Sequence, residues 1–172
     1  VDMAAHPDTN VRERVEKYLA ENEERINWAV KVLTELLDKE EMTELVRRLL
    51  SKLDTEYTRN PEKKQELVLR AAELEDRELS EEVARFAADD NETIRFLAVE
   101  ALLEHGYEDL IEETLRDRLA EETSIRIQKK IAEAFADNKD WKIPEEQRED
   151  VEHMLPEEYG VHKKGHIYRI RT

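Results

Sequence analysis

The stretch "DDNETIRFLAVEALLEHG", residues 89–106, is apolar on almost every side of the helix that its spacing predicts. One face of that helix carries Ile94, Leu97, Ala98, Ala101, Leu102 and His105, and a second stripe carries Phe96, Val99 and Leu103. Mainly Arg95, Glu100 and Glu104 are left for solvent. A helix that is buried on two faces needs neighbours on both, so this segment predicts the central helix of a stack.

The composition supports a helical protein. The chain has 172 residues, of which 42% are charged and 39% hydrophobic, and it contains 3 Gly, 4 Pro and no Cys. So few turn residues disfavour a sandwich or a barrel and favour long helices with short connections. The lack of cysteine excludes disulfides, thiolate catalysis and zinc-thiolate sites. The wide spacing of the glycines excludes a Gly-rich phosphate loop.

The charge is strongly acidic and unevenly distributed. With 28 Lys and Arg against 44 Asp and Glu, the formal charge is -16. It disfavours nucleic acid and anionic membranes and favours cationic partners, or it serves only to keep the protein soluble. Residues 161–172 contain Lys163, Lys164, Arg169 and Arg171 and no acid, so this tail is +4 and the rest is -20. No long apolar run or leader segment is visible, which predicts a soluble, cytoplasmic protein.

The helical pattern repeats along the chain. Asn60, Asn91 and Glu122 lie at equal intervals of 31 residues, and each precedes a predicted helix. These helices, with the partners that follow them, are predicted over residues 61–75, 79–88, 92–105, 109–121 and 124–137. Residues 1–58 hold three further apolar stripes, with Thr43 as a candidate cap near the start of the third.

The segments "DDNETIRFLAVEALLEHG" and "EDLIEETLRDRLAEETSIRIQKKIAEAFADN" resemble HEAT-like repeats of the short type found in phycobilisome-lyase-like proteins. The matching features are an acid or amide before the helix, the pairs Ile94-Arg95 and Ile125-Arg126, and small residues where helices approach closely. The resemblance covers residues 60–138 and implies an all-α fold, an α-α superhelix of antiparallel helix pairs. Such repeats are scaffolds in unrelated processes, so the resemblance says little about function.

Four parts of the chain are predicted. They are an N-terminal helical cap or diverged repeats over 1–58, HEAT-like repeats over 59–140, a terminal capping helix with Trp141 as a packing anchor over 141–160, and a basic tail over 161–172. The helix at 61–75 departs from the repeat pattern, because Lys63-Lys64 replaces Ile-Arg. The tail alternates as a strand would, but no second strand is visible. We therefore expect it to be disordered, to lie along an acidic face of its own or a neighbouring molecule, or to add to a partner's sheet edge.

A search for chemistry gives no catalytic residue and no cofactor or metal site. His162 and His166 have the spacing of a metal pair on a helix, but Gly160 and Gly165 disfavour a helix there. In an extended strand their rings would lie on the order of 13 Å apart. Two other pairs, Glu104-His105 and Glu152-His153, reverse the order of the di-iron ligands in HEAT-like deoxyhypusine hydroxylases. His105 is expected to be structural, and the serines, Ser51, Ser80 and Ser124, to be caps or solvated.

The sequence therefore predicts a non-enzymatic scaffold or adaptor whose acidic surface receives a basic segment of a partner, or the basic tail of another copy. Candidate partner-binding residues are Arg95, Glu100, Arg126, Lys130, Tyr168, Arg169 and Arg171. Alternatively, Arg95 and Arg126 pair with nearby acids in a structural ladder between repeats. Two other functions are an accessory protein, similar to phycobilin lyases, that holds a tetrapyrrole in its groove, and an acidic nucleic-acid mimic.

Overall fold

The computed structural model describes residues 7–22 and 25–170. Nine α-helices and one two-stranded sheet lie within these residues, which confirms the predicted all-α class. The chain divides into two compact units, Val1–His105 and Gly106–Thr172. The boundary falls inside the predicted repeat region, and the superhelical order of the helix pairs remains a prediction. None of the described helices has the length and hydropathy needed to cross a membrane.

The described part of the first unit contains helices and no strand. Its helices are α1 (Pro7–Glu21), α2 (Asn27–Leu36), α3 (Lys39–Ser51), α4 (Glu62–Ala72), α5 (Arg77–Arg85) and α6 (Glu92–His105), with a 3-10 turn at Phe86–Ala88. Helix α1 packs on α2, α3 packs on α4 and α5, and α4 packs on α6. Each of α3 and α4 therefore contacts the next helix but one along the chain.

Helix α3 begins with a reciprocal cap. The Asp38 carboxylate accepts a hydrogen bond from the Glu41 amide at 2.8 Å, and the Glu41 carboxylate accepts one from the Asp38 amide at 3.2 Å. This box satisfies two amide groups that would otherwise lack partners. The prediction that Thr43 caps the helix is wrong, because its hydroxyl donates back to the Lys39 carbonyl inside the helix.

Helix α6 spans the residues that the sequence predicts. The Asn91 side chain accepts from the Ile94 amide at its start, and Gly106, with φ of 78°, closes its end. Residues of both apolar stripes are buried, including Ile94 and Val99. The prediction that Arg95 faces solvent is wrong, because only 9% of it is exposed.

A buried ion pair ties α4 to the turn before α6. Lys64 Nζ lies 2.9 Å from the Asp89 carboxylate, and the two side chains are 4% and 1% exposed. The ammonium group also donates to the Glu56 carbonyl, while the second Asp89 oxygen accepts from the Asn91 amide. The Lys63-Lys64 departure from the repeat pattern thus has a structural role, since a buried charge needs a partner and hydrogen bonds.

The second unit mixes helices with a small hairpin. It contains α7 (Glu108–Arg118), α8 (Ile125–Asp137), a 3-10 turn (Glu145–Gln147), α9 (Arg148–Met154), β1 (Tyr159–Val161) and β2 (Ile167–Arg169). Ile143 and Val151 are fully buried, and the Trp141 ring meets Phe135 edge-on at 5.1 Å. The predicted packing role of Trp141 is confirmed.

The C-terminal tail forms an ordered hairpin as far as residue 170. Strands β1 and β2 are antiparallel, with Gly160 opposite Tyr168, so the expectation of a disordered tail is wrong. The Tyr168 ring covers Gly160, where a Cβ atom would lie 2.9 Å from it. Gly165 permits the turn, with φ of 102°. The partner strand is only three residues long and contains a glycine, which hides it from an alternation pattern.

Candidate functional site

Arg95, the first predicted partner-binding residue, is held inside its own unit. Its Nη1 atom donates to the carbonyl oxygens of Asp89 at 3.0 Å and Asp90 at 3.3 Å. These two bonds go to backbone oxygens of two nearby acids, and the ladder of ion pairs between repeats stays a prediction. Because the side chain is buried, a partner has little access to it.

The other described residues of the predicted set lie on α6 of the first unit and on α8 and β2 of the second, and α8 packs on β2. Glu100 is half-buried on α6, while Arg126 and Lys130 lie on α8. On β2, Tyr168 packs over the opposite strand and Arg169 donates to Asp137 at 2.8 Å. The bond to Asp137 raises the pKa of Arg169, although burial opposes it. Arg171 lies outside the described residues.

The structure places a charged groove between α3 and the start of α5, which we call the α3–α5 groove. Its volume is about 370 Å³. It is lined by Lys39, Glu40, Thr43, Glu44, Arg47, Glu75, Asp76 and Glu78. Five of these side chains are acids and two are bases, so the groove carries the sign of the whole chain.

The local sequence explains why acids line this groove. In the run "ELEDRELSEE", residues 73–82, six of ten residues are acids and one is a base. Leu74 and Leu79 are buried and fix the orientation of the run. Asp76 caps α5 by accepting from the Leu79 amide at 3.0 Å. The run was detectable as a local excess of acid, but acids are so abundant along the chain that no pair of them stands out.

The charges in the groove are only partly compensated. Arg47 spans it, with Nη2 at 2.5 Å from Glu44 and Nε at 3.8 Å from Glu78. The hydrogen bond to Glu44 and the charge of that carboxylate raise the pKa of Arg47. Glu40 and Glu75 have no ion pair or side-chain hydrogen bond to any residue that the structure describes. Two carboxylates on one groove thus remain available to a cation.

A second groove, of about 320 Å³, is lined by residues of α1 and α3. Glu40 and Glu44 contribute to both grooves. Here Arg12 pairs with Glu16 and, across to α3, with Glu41. Burial is the largest single influence on Arg12 and lowers its pKa, but the hydrogen bonds and charges of Glu41 and Glu16 together raise that pKa above its ordinary value. The acids of the second groove are therefore better compensated than those of the α3–α5 groove.

The excess of acids in the α3–α5 groove suits it to binding a cation. Its hydroxyl, on Thr43, is already bonded to a backbone carbonyl. Among residues 7–22 and 25–170, no group of three or more His, Asp or Glu side chains is arranged to hold a metal ion. The acids would repel the propionate groups of a tetrapyrrole, so the groove does not favour that alternative.

A serine–histidine pair lies in the core of the first unit. The Ser80 hydroxyl bonds His105 Nδ1, and His105 Nε2 lies 2.7 Å from the Ala71 carbonyl. Since a carbonyl only accepts, Nε2 carries the hydrogen and Nδ1 accepts from Ser80. Ser80 is fully buried, so the prediction of a cap or solvated position is wrong. The expected structural role of His105 is confirmed, because the pair ties α4, α5 and α6 together.

The two hairpin histidines lie much closer together than expected. The His162 and His166 rings stack with centroids 4.4 Å apart and an angle of 14° between them. The separation of about 13 Å was wrong because the chain reverses at Gly165. The Lys164 amide donates to His162 Nδ1 at 3.0 Å. His162 Nδ1 therefore already accepts a hydrogen bond from the backbone.

No protein-family model, curated protein or solved structure matches this chain. The resemblance to HEAT-like repeats therefore stays a prediction.

Proposed function

We propose that this protein is a non-enzymatic, cytoplasmic adaptor that holds a basic segment of a partner protein in the α3–α5 groove. The observation that carries the proposal is the pair of uncompensated carboxylates, Glu40 and Glu75, on the same groove. A lysine or arginine side chain placed between them gains two attractive contacts. Arg47 pairs with Glu44, so that carboxylate adds less to the negative charge of the groove than Glu40 and Glu75 do.

The packing of the first unit supports the accompanying proposal of a HEAT-like superhelix. In stacked helix pairs each helix contacts its equivalent in the next pair, two helices further on. The contacts of α3 with α5 and of α4 with α6 have this relation. Repeat surfaces of this kind bind extended segments of other proteins. The α3–α5 groove runs between two such helices.

Binding of a fluorescent oligolysine peptide, followed by anisotropy, tests the proposal. We expect the E40Q/E75Q variant to bind about tenfold more weakly, since each exposed ion pair contributes up to about 1 kcal/mol. The R47Q variant should bind about twofold to fivefold more tightly, because it loses one of the two cations that line the groove, the one that pairs with Glu44. Binding should weaken as salt rises, since the Debye length is about 10 Å at 0.1 M.

The matched control is E35Q/E104Q, which removes the same charge from exposed positions that do not line the groove. Its affinity should stay within about twofold of the natural chain. An equal loss in both double variants would show that the peptide responds only to net charge. That result would overturn the proposed site.

A further inference from the structure

The turn of the C-terminal hairpin and the segment before it carry a basic surface on this acidic chain. Four lysines form it, and we call them the basic tip: Lys139, Lys142, Lys163 and Lys164. All four are exposed, and none of their ammonium groups has an ion-pair or hydrogen-bond partner among residues 7–22 and 25–170. The basic tip is thus a cationic surface that its own neighbours leave uncompensated.

Backbone bonds hold the basic tip in a fixed arrangement. The Ile143 amide donates to the Gly165 carbonyl at 2.7 Å, which brings Lys142 and Lys164 to the same end of the unit. Arg148 clamps both segments, with Nε at 2.8 Å from the Ile143 carbonyl and Nη1 at 2.6 Å from the Lys163 carbonyl. Burial, the neighbouring imidazole and three of the tip lysines, in that order, lower the pKa of His166. The positive charges therefore converge.

We infer that the basic tip of one molecule binds the α3–α5 groove of a second copy of this chain. The two surfaces are complementary in charge, and each lacks a counter-charge among the described residues of its own unit. Glu40 and Glu75 remain uncompensated on the groove, and four ammonium groups remain uncompensated on the tip. The inference rests on the proposed function, because it names a partner for the same groove.

The contact joins two different surfaces, so it is heterologous. A pair of molecules joined in this way leaves one groove and one basic tip unoccupied, so further copies add until a ring closes or an open chain forms. Contacts between exposed charges are weak and screened by salt. The association is therefore concentration-dependent and strongest at low ionic strength.

Sedimentation velocity of the full chain tests the inference. We expect the weight-average mass to rise with concentration at about 20 mM salt and to return to the monomer value at about 300 mM salt. Two variants should each raise the apparent dissociation constant at least about tenfold. They are the tip variant K142Q/K163Q/K164Q and the groove variant E40Q/E75Q. Neither alters the backbone carbonyls that Arg148 binds.

A mixture of the two variants gives the sharper result. The tip variant keeps its groove and the groove variant keeps its tip, so the mixture should form a one-to-one dimer that cannot grow. A mixture that stays monomeric, or a tip variant that associates like the natural chain, overturns the inference. Oligolysine separates the two proposals. If the natural chain binds it at Glu40 and Glu75 yet stays monomeric at low salt, only the second-copy partner is wrong; if that binding fails too, the proposed function falls as well.

Discussion

The end of α6 and the turn of the C-terminal hairpin use the same two residue types, histidine and glycine, in different ways. Gly106 has a positive φ, and a Cβ atom there would meet nothing within 4 Å. At Gly165 a Cβ atom would lie 2.9 Å from Arg148 Nη2 and 3.0 Å from the Ile143 carbonyl. The first glycine serves only the backbone conformation, whereas the second also permits close packing.

The histidines beside these glycines differ in the same way. His105 is buried and bonded through both ring nitrogens. His166 stacks on another imidazole near a group of lysines. The backbone turn that ends α6 can therefore be understood from Gly106 alone, but His105 and the hairpin both depend on residues elsewhere in their own units.

The largest loss of stability is expected when the buried ion pair between Lys64 and Asp89 is broken. Replacing Lys64 by Met leaves Asp89 buried without its cation and should lower the free energy of unfolding by about 3–5 kcal/mol. Urea unfolding followed by circular dichroism measures the change. The K64M/D89N variant should lose less stability than K64M. The side-chain carbonyl introduced at position 89 still accepts from the Asn91 backbone N–H, and it carries no charge that needs a cation.

Lys129→Met is the control for this change, since its 4.0 Å pair with Glu158 is exposed and should contribute about 0–1 kcal/mol. Equal losses for the two lysine variants would mean that the Lys64–Asp89 pair behaves as a surface contact.

The next largest loss of stability is expected at Gly165, and it should exceed the loss at Gly106. Gly165→Ala should cost about 2–4 kcal/mol, because the left-handed conformation adds about 1–2 kcal/mol and overlap with Arg148 and Ile143 adds to it. Gly106→Ala should cost only about 1 kcal/mol. Hydrogen exchange of the hairpin amides and urea unfolding follow the two changes. A Gly106 variant that is as unstable as the Gly165 variant would contradict the distinction between them.

A smaller effect is expected in the core of the first unit. Ser80→Ala removes the donor to His105 Nδ1 and should cost about 1–3 kcal/mol, because the nitrogen stays buried without a partner. Ser51→Ala is the matched control, since that serine is exposed and its loss should cost at most about 0.5 kcal/mol. Thermal unfolding compares them, and similar midpoints would argue against a structural Ser80–His105 bond.

The smallest effect concerns acid sensitivity of the hairpin. Burial and nearby positive groups lower the pKa of His166 from its unfolded value of 6.5. Between these two pKa values the unfolded chain binds more protons, so hairpin stability falls as pH drops below 6.5. The groups responsible after burial are His162, Lys142, Lys139 and Lys164. Proton NMR should give a His166 midpoint below 6.5.

The variant His166→Gln removes this titration and should flatten the pH dependence of hairpin hydrogen exchange. An unchanged dependence would assign the acid sensitivity to another group.

Much of the helical fold follows from sequence because its causes are local. The bounds of α6 come from its apolar spacing, the Asn91 cap and Gly106. The burial of Arg95 was missed because the side chain folds back onto two backbone carbonyls, which a periodicity pattern does not register. The hairpin was missed because it depends on Tyr168 covering Gly160 and on the Arg148 clamp.

The groove was missed for a different reason. Its acids come from two helices whose packing the sequence does not specify, and its distinguishing feature is which acids lack a counter-ion. Helix spacing alone predicts the pairing of Glu44 with Arg47, three residues on, but that Glu75 has no counter-ion among the described residues depends on how the turn before α5 packs. Compensation is a property of three-dimensional contacts.

Titration of the isotope-labelled chain with oligolysine, followed by amide chemical shifts, locates the surface that binds a basic segment. We expect the largest shifts at Glu40, Glu44 and Glu75, on α3 and the turn before α5, and we expect them to disappear in E40Q/E75Q. Shifts of equal size over the acidic residues of α9, or shifts that persist in the variant, would contradict the proposed binding site.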